Sequence, residues 1–217
     1  MFNDGKFPVI QETYVTLADM NPRTLAALSL LNDLRHSAFE ALGRKHKYPA
    51  LLLLYSFIDI CASLSEVPPA KSNSERFKSF LSKYALCHWE LFRPYDLWAA
   101  RSSLLHAFSP LGDHTDKPIG AVPIFYYAWP ETEAEVRQTL VSRGYTDFIL
   151  IDVQTISSLA VSSFNSLWMH IEQDTAFESI FLANAEHLLK DLFQHRLENE
   201  LVLLDELARM GSENHVG

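Results

Sequence analysis

Apolar positions recur at helical spacing through most of the first hundred residues. Leu25, Leu28, Leu31 and Leu34 form one stripe. They predict a helix that opens at Asn21-Pro22, with asparagine as cap and proline in the first turn, and ends near Gly43-Arg44. A second helix is predicted from Pro49 to Glu66; it is apolar nearly all round, which places it centrally. A third, from Ser74 to Leu86, turns Phe77, Phe80, Leu81 and Tyr84 inward, and Pro94 opens a fourth that stops at Ser109-Pro110.

The pattern then changes. After a polar loop, Gly112–Gly120, the segments Ala121–Trp129 and Asp147–Val153 are rich in Val, Ile and Phe and predict strands, separated by a short helix that ends at Gly144. Helix returns from about Gln154 to Ile171. An apolar stripe then runs through Phe177, Phe181, Ala185, Leu188, Leu192, Leu197, Leu201 and Leu204, which predicts a kinked helix pair or a coiled-coil arm. The expected fold is a mostly α single domain over residues 1–217. It comprises a core bundle (21–110), a small two-stranded β insertion (121–153) and a long C-terminal helical segment (154–210).

At 217 residues and 48% hydrophobic content the chain can bury a real core. Cys61 and Cys87 lie in apolar helical context without a CxxC and read as reduced thiols, so a cytoplasmic location is expected. Met1–Met20 has neither a basic start nor an apolar run, so no leader is expected there. The run Pro49–Leu64 is read as too short to span a bilayer, and it carries Asp59. A net charge of −9 argues against broad electrostatic binding of nucleic acid and leaves room only for a localised cationic site.

Arg101 and His106 interrupt the apolar helix Asp96–Pro110. With 10 arginines and 9 histidines in the chain, roughly 0.4 such pairs arise by chance at each offset, so spacing alone decides little. A second match, Arg209 and His215, lies in the polar tail beyond Gly211. Context distinguishes the first pair, because an unpaired charge in an apolar helix costs several kcal/mol. Three segments occur in order: Ala50–Ile60 with Asp59, then Glu75-Arg76-Phe77, then Asp96–His106. Over about Tyr48–Pro110 this order resembles the HEPN superfamily, with its Arg-x(4–6)-His signature, in an uncharacterised bacterial branch. The resemblance implies a HEPN-like helical bundle that dimerises with its motif helices facing one another. It also implies metal-independent cleavage of single-stranded RNA, in toxin–antitoxin or phage-defence settings with a neutralising antitoxin or defence partner. The residue after the arginine, commonly asparagine in the family, is Ser102 here.

In that reading His106 is the general base on a ribose 2′-hydroxyl, Arg101 stabilises the phosphoryl charge, and Ser102 orients one of them. Five residues on a helix correspond to about 140° and 7.5 Å, so Arg101 and His106 do not share a stripe, whereas Ser102 and His106 do. Asp59 is the expected partner of Arg101, since two buried charges cost less together than apart. Two alternatives stay open: a non-catalytic HEPN-like nucleotide- or protein-binding module, and a structural helical interaction protein. The loop Asp113-His114-Thr115-Asp116 matches no zinc or calcium spacing, and His187 and His195 read as a surface stripe. No GxSxG, P-loop, GxGxxG or HExxH occurs; neither a metal nor a cofactor is expected, nor a membrane partner.

Overall fold

The computed structural model describes residues 21–67, 71–85, 92–107 and 120–188. Among these, seven α-helices surround one apolar core: α1 Pro22–Gly43, α2 Lys47–Leu64, α3 Asn73–Tyr84, α4 Pro94–Ala107, α5 Glu133–Ser142, α6 Val153–Gln173 and α7 Thr175–Leu188. Two short strands, β1 Ile124–Tyr127 and β2 Ile149–Asp152, complete it. The mostly helical expectation with a small β element therefore holds.

Helix boundaries follow local chemistry. Asn21 Oδ1 accepts the Arg23 amide at 3.0 Å, and Pro22 occupies the first turn of α1. Lys45, at φ 65°, turns the chain into α2. That helix begins two residues earlier than predicted and ends at Leu64. At 18 residues it is long and apolar enough, by length and composition, to cross a membrane, but half of it is buried inside the bundle. Helix α3 starts at Asn73, one residue before the predicted Ser74, because Ser72 and Glu75 form a reciprocal capping box. The three residues of α4 predicted beyond Ala107 lie outside the described residues.

Helix α2 is the central element, packed against α1, α3, α6 and α7. Its Leu51, Leu54, Tyr55, Phe57, Ile58 and Leu64 are all essentially inaccessible. Asp152 caps α6 through the Gln154 amide (2.9 Å), and Asp174 breaks α6 from α7 by accepting the Ala176 and Phe177 amides (3.0 Å each). Phe177, Phe181 and Ala185 of α7 are buried against the bundle. The predicted stripe is thus bundle core as far as Ala185, while Leu188 is exposed; Leu192 through Leu204 lie outside the described residues.

β1 and β2 pair in parallel, Ile124 opposite Ile149 and Tyr127 opposite Asp152. Parallel neighbours need a crossover, and α5 supplies it, ending where Gly144 adopts φ 90°. Asp96, 2% exposed, ties this unit to the bundle. Its carboxylate accepts Arg93 N, Nε and Nη2 and the Val122 amide at 2.7–3.0 Å.

Candidate functional site

Helix α2 carries Asp59 and Ser63 one turn apart, with Glu66 just past its end, so all three face the groove toward α3 and α4. Arg101, from α4, donates Nε to Asp59 Oδ2 at 2.7 Å and pairs with the same oxygen through Nη2. Its guanidinium also lies over the Trp98 ring, 4.9 Å from the centroid, a cation–π contact within its own helix. Arg76, from α3, reaches Glu66 Oε2 at 3.2 Å, Ser63 Oγ at 3.3 Å and Asn73 Oδ1 at 2.6 Å. Two arginines and two carboxylates therefore alternate along the seam between three helices.

The seam is neither sealed nor fully wet. Arg101 and Asp59 expose 18% and 25% of their side chains. Burial pushes the Asp59 carboxyl above its ordinary value, opposed by the Arg101 charge and hydrogen bond and by the more distant Arg76 charge. The acid orients the guanidinium while remaining costly to ionise. Among the described residues Asp59 is the only hydrogen-bond acceptor of Arg101, and Nη1 has none.

The expected Asp59–Arg101 partnership is therefore present. Ser102 is half-buried on α4, with no side-chain hydrogen bond to a described residue. His106 belongs to α4 by its backbone, which keeps it five residues and about 140° from Arg101. Its imidazole, the 113–116 loop, His195, Cys87 and the Arg209/His215 pair lie outside the described residues. His187 is exposed at the end of α7, and Cys61 is buried with its thiol pushed upward by burial. Arg76 entered the sequence reading only as part of a motif; its role in the seam was signalled by the spacing of Asp59, Ser63 and Glu66 on the facing helix.

Beside the seam lies a cavity of about 600 Å³ between the start of α2, the face of α4 bearing Ala100 and Leu104, β1 and α5. Comparison of the chain with models of known families, with curated proteins and with solved structures gives no match.

Proposed function

We propose that this protein is a HEPN-like, metal-independent endoribonuclease acting on single-stranded RNA in the cytoplasm, assembled as a homodimer. An RNA-targeting toxin or phage-defence effector, held in check by a neutralising partner, is the setting that fits such an activity. The observation that carries the reading is the tethered Arg101. A permanent cation is held in one orientation by Asp59, is still in contact with solvent, and has Nη1 without an acceptor among the described residues. In the proposed reaction His106 removes the proton of a ribose 2′-hydroxyl. The resulting oxyanion attacks the adjacent phosphorus, and the 5′-oxygen leaves with a proton. The products are a 2′,3′-cyclic phosphate and a 5′-hydroxyl. Arg101 offsets the extra negative charge on the phosphoryl oxygens as the bond forms, and Ser102, one turn before His106, orients the imidazole or a phosphate oxygen.

The test is cleavage of single-stranded RNA by the purified protein in EDTA, with His106→Ala abolishing cleavage and leaving the far-UV spectrum unchanged. Absence of cleavage across RNAs of varied sequence would overturn the proposal.

The same ion pair favours a second reading, a HEPN-like module that binds without cleaving. Asp59 already compensates the guanidinium, so Arg101 can serve as an interhelical lock alone. That reading expects binding without cleavage and an intact function in His106→Ala.

A further inference from the structure

Strand β1 has one edge with no neighbouring strand among the described residues. Ile149 N donates to the Pro123 carbonyl at 2.9 Å, and the register sets Ile124 opposite Ile149 and Tyr126 opposite Ile151. In that register the ladder bonds of β1 come from Pro123, Phe125 and Tyr127, so the backbone groups of Ile124 and Tyr126 point the other way. Lys47 confirms the direction, since its Nζ donates to the Tyr126 carbonyl at 3.1 Å. The N–H and C=O of Ile124 and the N–H of Tyr126 then have no partner among the described residues. Ile124 is wholly inaccessible, and buried backbone groups are almost always paired.

This edge opens on the cavity of about 600 Å³, whose lining runs without a break from Ile124 to Trp129. Ala100 and Leu104 of α4 and Val136 and Leu140 of α5 give the cavity apolar walls, so it occupies the place of a third strand between helices. Lys47 and Arg143 also line it, against a single carboxylate, Glu135. The slot thus combines open ladder positions, apolar walls and surplus positive charge. Helices wall it in, so it admits a lone extended segment and not the edge of another folded sheet.

We propose that the slot receives residues 12–17 of a second copy of this chain, added to β1 as a third strand. The run Glu12-Thr13-Tyr14-Val15-Thr16-Leu17 is dense in β-branched and aromatic residues, and Glu12 and Asp19 give it charge opposite to that of Lys47 and Arg143. Main-chain pairing satisfies the Ile124 and Tyr126 groups, while Lys47 swings on its flexible stem from the Tyr126 carbonyl to the acidic flank. Reach assigns the segment to the second copy. Helix α1, 22 residues or about 33 Å long, separates Asn21 from Lys47 at the slot. Tyr14 precedes Asn21 by seven residues, which span at most about 25 Å. Arg101 and Ser102 are not in the lining, so this exchange is independent of the proposed cleavage chemistry.

Hydrogen exchange at the Ile124 and Tyr126 amides of the full-length protein tests this. Both should exchange about tenfold or more slowly in the unaltered protein than in the double variant Tyr14→Pro/Val15→Pro. Successive strand residues face opposite edges, so one of the two prolines removes an amide directed at β1. The isotope-labelled proline variant is then mixed with an excess of unlabelled, unaltered protein. Slow exchange should return to the labelled copy, because only the other copy can supply the strand. Arg143→Glu, at an exposed position that leaves the core untouched, should by itself speed both amides by about threefold or more. Exchange in either variant equal to that of the unaltered protein overturns the proposal. Fast exchange that persists in the labelled copy after mixing overturns it as well.

Discussion

Asp59 and Arg101, 42 residues apart in sequence, meet in the seam between α2 and α4 with Nε 2.7 Å from Oδ2. Each enters the seam from an otherwise apolar helix, and each is about four-fifths covered. The carboxylate is held above its ordinary value by burial, even with two arginines nearby. The pair therefore stabilises the bundle only as a pair, because either charge alone would face the desolvation cost unmatched.

Asp59→Ala should lower stability by about 2–3 kcal/mol, between the value for fully buried pairs and that for exposed ones. The double variant Asp59→Ala/Arg101→Ala should cost less than the two single changes added together. Urea unfolding of all four proteins checks this; additive losses, or a loss below about 1 kcal/mol for Asp59→Ala, would show that the charges are independent.

Arg101→Lys separates the nuclease from the lock. A lysine can satisfy Asp59 but cannot hold a phosphoryl group while doing so, since it lacks the planar fork. RNA cleavage should fall by about a hundredfold or more, with stability reduced by no more than roughly 1 kcal/mol. Equal cleavage by the two proteins would remove Arg101 from the chemistry.

Asp96 should set part of the acid limit of the fold. Burial alone would raise its carboxyl, but hydrogen bonds from Arg93 and the Val122 amide outweigh burial and hold it below the ordinary 3.8. A depressed acid contributes stability above the unfolded value and loses it as pH falls through the folded one. Asp96→Asn should cost about 2 kcal/mol at neutral pH, and its deficit should shrink below about pH 4. Thermal melts of both proteins across that range give the comparison.

Tyr55 and Tyr126 share a hydroxyl–hydroxyl contact of 2.5 Å that joins α2 to β1. Burial raises both phenols, so they are neutral at physiological pH. Tyr55→Phe leaves the Tyr126 hydroxyl without that partner and should cost about 1–3 kcal/mol. Adding Tyr126→Phe should then restore part of the loss. A further loss in the double variant would count against the pairing.

His170 gives the fold a second pH dependence. Burial and then the Lys83 ammonium hold its imidazole below 6.5, with Asp174 opposing. Tyr84 Oη lies 2.7 Å from Nδ1, and Phe177 stacks on the ring. The fold prefers neutral histidine, so this contribution is present above about pH 6.5 and is lost as pH falls toward the folded value. Between about pH 8 and 5 the urea midpoint of His170→Gln should decline less than that of the unaltered protein. Parallel curves would rule out this role.

The amino-acid sequence alone determined where most helices begin and end, because those signals are local. Asn21-Pro22 and Gly144 act on their own neighbours, and the apolar stripes follow helix geometry. It also determined that Asp59 and Arg101 should meet, since the cost of burying a lone charge does not depend on the details of the fold. Only the tertiary structure decided that β1 and β2 run parallel, that Tyr55 reaches Tyr126, and that Arg76 joins Asp59 and Glu66 along one seam. It alone placed Lys45, in the turn before α2, against the Trp129 ring. Periodicity states which face of an element is buried; which elements those faces meet, and at what angle, is settled by packing the whole chain at once.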